Sequence, residues 1–222
     1  MSGEAELARS LDPPDWEQKL RAVFADTRLD DPRPLTRFEL WDRMESVGDP
    51  NWEQTLRHAA VLVPVVARPQ GPTVLLTLRS NLLRNHSGQV SFPGGRRDPG
   101  DRDLVETALR EAEEEIGLPR QAVKVIGYLD DYPTTSRYRV TPVIGWVADL
   151  PPLRGDASEV AEIFEVPLSQ LLDADNYEQK IFIRDGLHFP IYEVRQAEHR
   201  IWGATAGMLW DFCSKVKAWT TR

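Results

Sequence analysis

The chain has 222 residues and 41% hydrophobic content, enough for one domain with a real core and some additions. Its formal net charge of −8 repels polyanions at long range, which excludes a dedicated nucleic-acid binder. A small phosphate compound stays admissible, because local cations can reverse the field inside a site. No apolar run reaches membrane-spanning length, the acidic start Met1-Ser2-Gly3-Glu4-Ala5-Glu6 lacks a signal-peptide apolar stretch, and the lone Cys213 has no intrachain disulfide partner. A cytoplasmic protein that does not associate with membranes is expected, with Cys213 as a buried, inert thiol.

Residues 1–56 are rich in Pro, Asp and Trp and read as an N-terminal appendage; short helices are expected over Asp15 to Phe24 and Leu35 to Met44. Residues 57–222 form the main domain. Ala59 to Ala67, apolar and β-branched, is a buried strand, and Thr73 to Arg79 a second one after a Gly71-Pro72 turn. Gln89 to Phe92 is a short third strand, with Phe92 in the core, followed by a Pro93-Gly94-Gly95 turn that lets backbone approach a ligand closely. After an acidic helix, strands are expected at Val123 to Leu129, Val140 to Ala148 and Ser158 to Val166, the last ended by Pro167. The loop at 130–137 can bring Asp130, Asp131 and Tyr132 to a cleft. Leu168 to Leu172 is a helical turn. Lys180 to Arg184 and His188 to Val194 form a hairpin around Asp185-Gly186. Thr205 to Trp219 is an amphipathic helix, against which Trp202 is expected to pack. This order indicates an α/β protein with a mixed sheet between helices.

The acidic helix carries the chemistry. Asp103 followed by Glu106 makes a capping box, so the helix starts at Leu104, and Gly117 is placed to end it. With about 100° per residue and Glu111 at zero, Glu115 falls at roughly 40° and Glu114 at roughly −60°. Val105, Ala108, Leu109, Ala112 and Ile116 form the neighbouring apolar stripe, so the acidic edge borders the core. Like charges at this spacing repel. A divalent cation offsets that repulsion, and carboxylate oxygens suit Mg²⁺ or Mn²⁺. Glu111 and Glu115 are the expected main metal ligands. Glu114 is either a third ligand or the group that takes a proton from water, with Glu159 and Glu162 as rival bases. Arg110, four residues before Glu114, can pair with it.

Gly95, five residues, Asp101, eight residues, then Arg110-Glu111-Ala112-x-Glu114-Glu115-x-Gly117-Leu118 resembles a Nudix box. That pattern is Gly, five residues, Glu, seven residues, Arg-Glu-apolar-x-Glu-Glu-x-Gly-apolar. The second half matches at every defined position. In the first half Asp101 replaces Glu and the gap is one residue longer, which leaves the role of Asp101 open. Upstream, Leu75-Leu76-Thr77-Leu78-Arg79-Ser80, three residues, Arg84, three residues, Gly88, three residues, Phe92-Pro93-Gly94-Gly95 resembles the signature of the coenzyme A pyrophosphatase branch of the Nudix hydrolases. Tyr132-Pro133-Thr134-Thr135-Ser136 and Ile201-Trp202-Gly203-Ala204-Thr205-Ala206 are similar to weaker signals of that branch.

The resemblance implies a Nudix-like α/β/α sandwich and metal-dependent hydrolysis of the pyrophosphate of coenzyme A or its thioesters, giving 3′,5′-ADP and (acyl-)4′-phosphopantetheine. It implies catalytic and metal-ligating Glu111, Glu114 and Glu115, with Arg110 as structural support. Arg79, Ser80, Arg84, Gly88, Gly94 and Gly95 are the implied substrate contacts, the arginines facing phosphate. Two alternatives stand beside it: the same chemistry on ADP-ribose or another nucleoside diphosphate derivative, and a non-catalytic nucleotide sensor of the same fold. A homodimer is compatible with either.

Overall fold

The computed structural model describes residues 13–29, 34–36, 52–83, 86–184, 187–195 and 198–220. Helix α1 (Pro13–Val23) comes first, and a 3₁₀ turn (Trp52–Thr55) leads into β1 (Arg57–Val66) and β2 (Thr73–Arg79). Then follow β3 (Val90–Ser91), β4 (Gly94–Arg96) and the acidic helix α2 (Leu104–Ile116). β5 (Lys124–Tyr128), β6 (Tyr132–Pro133), β7 (Tyr138–Val147) and β8 (Val160–Pro167) precede the short α3 (Leu168–Leu172). β9 (Tyr177–Arg184), β10 (Leu187–Val194), β11 (Ile201–Trp202) and α4 (Gly203–Thr220) complete the order.

Eight strands form one mixed sheet, with β3-β2-β1-β7-β5 as its spine. β1 and β7 pair in parallel over their whole lengths, from Arg57↔Tyr138 to Val66↔Val147, and the other pairs in this sheet are antiparallel. β1 meets β2 only at its end, at Val65↔Val74 and Val66↔Thr73. The two strands then splay. β4 fills the gap against β1 at Ala59 to Val61, and β3 fills it against β2 at Thr77 and Leu78. That splay makes room for a site.

The period-two alternation of β1 explains the layers. Ala59, Val63 and Val65 belong to one core, with α1, α3 and α4. Ala60, Leu62 and Val66 belong to a second core under α2, packed by Ala108, Ala112 and Ile116. The result is the expected α/β/α sandwich. Three local expectations change. Gly94 and Gly95 sit in a strand rather than a free turn. Pro133 is likewise drawn from its loop into β6, paired with β7. Leu35 forms an isolated bridge to Asp131 instead of opening a helix, and the remainder of the helix expected there lies outside the described residues. The expected C-terminal hairpin pairs β9 with β10 and belongs to a separate sheet in the order β11-β10-β9; its turn, Asp185-Gly186, is also outside the described residues. Among the described residues no helix is long and apolar enough to cross a membrane.

Candidate active site

Helix α2 is held at both ends. The Asp103 side chain accepts a hydrogen bond from the Glu106 N–H at 2.8 Å. The return half of the box is offset by one residue, since the Glu106 carboxylate accepts from the Arg102 N–H and Nε, each at 2.9 Å. Gly117 closes the helix in the left-handed region at φ 68°, its N–H turned back to Ala112 and Glu113 carbonyls.

The fixed helix sets its carboxylates at graded depths. The side chain of Glu115 is 5% exposed, that of Glu111 17% and that of Glu114 61%. This is the order the helical angles give: Glu115 leans toward the core stripe and Glu114 away from it. Glu115 Oε2 accepts from the Gly94 N–H at 3.1 Å, and its Oε1 lies 3.9 Å from Arg79 Nη1. Burial pushes the Glu115 carboxyl up to about 7; the Gly94 N–H and Arg79 pull it down, while the charges of Glu111 and Glu159 add to the rise. Burial also raises Glu111, opposed by Arg110 and reinforced by Glu114 and Glu159. A Cβ on Gly95 would lie 2.6 Å from the Glu111 carboxylate, so any side chain there would displace that carboxylate.

Arg110 is the hub. Nε and Nη2 donate to the two oxygens of Asp101 at 2.9 and 3.0 Å, and Nη1 donates to Glu111 at 2.9 Å and Glu114 at 3.0 Å. Asp101 is buried and also accepts from Thr107 Oγ1 and the Asp98 N–H, each at 2.9 Å. Its carboxyl is held well below the usual carboxylate range, chiefly by Arg110. The open question about Asp101 thus has a structural answer. In the turn from Asp98 the Asp101 N–H donates to the Asp98 carbonyl at 3.0 Å, and the shorter side chain still reaches Arg110.

Other expected residues divide. Gly94, Gly95 and Arg79 line a cavity of about 510 Å³. Ser80 does not line it; its hydroxyl is buried and accepts from the Leu82 N–H at 3.3 Å. Gly88 is also off the wall, and at φ 67° its N–H donates to the Arg79 carbonyl, shaping the turn. Arg84 lies outside the described residues. Glu162 turns to His199 Nε2 at 3.3 Å, whereas the charge of Glu159 reaches both Glu111 and Glu115. Asp131 is buried against Arg139 and Thr141, and Asp130 pairs with Lys215, so of that loop triplet only Tyr132 reaches the cavity. Trp202 contacts Phe182 and lines the cavity, where packing on the C-terminal helix had been expected. Arg96 and Phe182 are cavity residues that sequence reading missed. The two weaker motif segments meet there, through Tyr132 to Ser136 and Trp202 to Thr205.

Among the described residues no group of three His, Cys, Asp or Glu side chains is drawn together as a metal cage, because Glu114 is turned out to Arg110. The chemistry of the donor set still fits a hard divalent cation. Glu111 and Glu115 are both raised by desolvation, the charge of Glu111 adds to the rise at Glu115, and positive charge beside them would relieve both.

A family model described as the NUDIX domain matches residues 56–185. An "Uncharacterized Nudix hydrolase NudL" of Yersinia enterocolitica is 42% identical over 83% of this chain and 94% of its own length. One of the same name from Photorhabdus laumondii is 44% identical over 72% of this chain and 86% of its own. Among solved structures, a MutT protein from Methanosarcina mazei Go1 aligns with a TM-score of 0.47 at 16% identity, over 75% of this chain and 96% of that one.

Proposed function

The chain belongs to the NUDIX family and is a Nudix hydrolase, and from that premise we propose that it cleaves the pyrophosphate of coenzyme A and its thioesters, releasing 3′,5′-ADP and (acyl-)4′-phosphopantetheine. The observation that carries this reading is the meeting of three groups at one place. The Arg79 guanidinium lies beside Glu115, Gly95 is pressed against Glu111, and Arg79 and Gly95 both line the cavity. Arg79 and the glycines belong to the segment that resembles the coenzyme A pyrophosphatase signature.

A pyrophosphate link resists water because its anionic oxygens repel nucleophiles. Glu111 and Glu115 would hold Mg²⁺ or Mn²⁺, with Glu114 joining by leaving Arg110. Such a cation supplies charge screening of the diphosphate and a more acidic water. Arg79 binds and orients a phosphoryl oxygen. Among the described residues its buried Nε has no hydrogen-bond partner, which leaves the guanidinium a donor that a ligand could use on a small shift of the side chain. Glu159, close enough to perturb both metal-ligand carboxylates, takes the proton from the attacking water. Arg110, held by Asp101, fixes the Glu111 rotamer.

The test is incubation of the purified protein with Mg²⁺ and a panel containing coenzyme A, dephospho-coenzyme A, ADP-ribose and a dinucleotide. Coenzyme A should be the best substrate, with 3′,5′-ADP among the products by chromatography. A higher kcat/KM for ADP-ribose would overturn the substrate assignment and leave the pyrophosphatase chemistry standing.

A further inference from the structure

The cavity wall is cationic in an acidic protein. The chain carries 35 Asp and Glu against 27 Lys and Arg, yet among the described residues that line the cavity there is no carboxylate, and there are two arginines, Arg79 and Arg96. Such a wall favours an anionic ligand. Taking the coenzyme A reading as premise, we propose that Arg96 binds the 3′-phosphate of coenzyme A, on the face of the sheet turned away from the acidic helix, and so sets a preference for coenzyme A over dephospho-coenzyme A.

Strand register fixes where Arg96 sits. Directly paired residues project to the same face of a sheet, and successive residues to opposite faces. Arg96 pairs with Ala59, Ala59 with Val140, and Val140 with Tyr132, and all four line the cavity. Ala59, Val140 and Tyr132 belong to the core away from α2. The next row faces the other way. Gly95 pairs with Ala60 of the core under α2, and a Cβ on Gly95 would meet the Glu111 carboxylate. Arg79 stands on that second face, with Nη1 3.9 Å from Glu115 Oε1. The two arginines of the cavity therefore come to it from opposite faces of the sheet, beside the splay of β1 and β2.

The commitments of the nearby arginines differ as well. Arg110 spends its guanidinium on Asp101, Glu111 and Glu114, and Arg97 donates to the carbonyls of Asp101 and Arg102. Arg96 is exposed, and among the described residues it forms no ion pair. Its carbonyl accepts from Arg110 Nη2 at 3.3 Å, so the backbone that carries it is tied to the hub of the site. An uncommitted guanidinium beside the short side chains of Ala59 and Val140 suits an anion with several oxygens. Coenzyme A carries two such anions on one ribose, the diphosphate at the 5′ position and a phosphate monoester at the 3′ position. With the diphosphate at Arg79, Glu111 and Glu115, the monoester is the anion left for Arg96. Arg96 follows directly on the stretch that resembles the coenzyme A signature and is no part of it.

The 3′-phosphate takes no part in bond cleavage, so a contact to it holds substrate and transition state alike and acts on KM with kcat kept. The experiment measures kcat and KM for coenzyme A, dephospho-coenzyme A and ADP-ribose with wild type, Arg96→Ala and Arg96→Lys, at low and high salt, each variant checked by circular dichroism. Wild type should prefer coenzyme A over dephospho-coenzyme A by about tenfold or more in kcat/KM, the size of one charge-assisted contact. Arg96→Ala should remove most of that preference through KM, and Arg96→Lys should restore part of it. Added salt should lower the wild-type preference, because a contact between exposed charges is screened. Equal wild-type values for the two substrates, with ready turnover, overturn the subsite alone and decide the matter even if a variant fails to fold. A preference that survives Arg96→Ala in a folded protein overturns it too, since the 3′-phosphate is then bound elsewhere. So does an equal loss on both substrates, which places Arg96 on the shared diphosphate. Turnover of ADP-ribose with neither coenzyme cleaved overturns the coenzyme A reading itself, and the subsite with it.

Discussion

At the scale of single residues, the site is a chain of contacts from Asp101 through Arg110 to Glu111, with Glu115 held separately by Gly94. Charged oxygens at Glu111 and Glu115 are central to the proposed chemistry. Glu111→Gln and Glu115→Gln should each lower kcat by about 10²-fold or more, the size seen when a main electrostatic stabiliser is removed, with circular dichroism unchanged. Near-wild-type turnover in both folded variants would sink the ligand assignment. Asp101 acts one step back. Asp101→Ala leaves Arg110 without its bidentate partner, and loss of such a buried pair costs about 3 kcal/mol in unfolding free energy. The pH dependence has a definite sign. The folded carboxyl is depressed by Arg110, so its contribution is fully present above the unfolded pKa of about 3.9 and is lost as pH falls through the folded value. Urea melts should show a constant gap between wild type and Asp101→Ala from about pH 7 to 5, narrowing below about pH 4. Cys213 gives the opposite case. It is buried with its thiol pushed up to about 12, chiefly by desolvation, so no thiolate is available at neutral pH. Cys213→Ala should retain turnover, and a folded but dead variant would reopen a covalent route.

At the scale of elements, the decisive packing is β4 against α2. A Cβ on either glycine of β4 would meet a neighbour closely, but the neighbours differ in kind. A Cβ on Gly95 would lie 2.6 Å from the flexible end of Glu111, whereas one on Gly94, at φ 156°, would lie 2.4 Å from the Ala60 carbonyl oxygen. The two alanine variants should therefore fail differently. Gly95→Ala displaces a catalytic carboxylate and should cut kcat/KM by about 10²-fold, the effect of a misplacement near 1 Å, with a nearly unchanged melting temperature. Gly94→Ala forces β1 and β4 apart and should destabilise by about 1–3 kcal/mol. Chemical unfolding and steady-state kinetics on the same pair of variants separate the outcomes. Equal stability for both would contradict the contact geometry.

At the scale of the whole molecule, the N-terminal helix is part of the larger core. Leu20 is fully buried, Phe24 stacks on Phe212 of α4 with centroids 5.8 Å apart, and a Cβ on Gly127 of β5 would collide with the Phe24 Cβ at 2.4 Å. We propose that the helix and the sheet unfold together. Leu20→Ala should cost about 2–5 kcal/mol, the range for a buried leucine, in a single transition by fluorescence and circular dichroism alike. Two separated transitions would show an appendage with its own stability.

Local physics made much of this legible in one dimension. The caps of α2, its acidic and apolar stripes, the alternation of β1 and the hairpin near the C-terminus all depend on residues a few positions apart, and helical or strand periodicity converts such spacing directly into a face. Hence the depth order of Glu115, Glu111 and Glu114 followed from angles alone. Other features depend on partners far along the chain, and only the tertiary structure decided them. Gly94 and Gly95 became a strand because the splay between β1 and β2 left backbone groups to pair. Asp101 gained its role because the fold brings its carboxylate against Arg110, nine residues on. Ser80 left the site because its hydroxyl was taken by the Leu82 N–H. Trp202 and Phe182 met across a second sheet that no local pattern distinguishes from a continuation of the first. Periodicity tells which side of an element is apolar; it does not tell which other element covers that side, since hydrophobic contact carries no address.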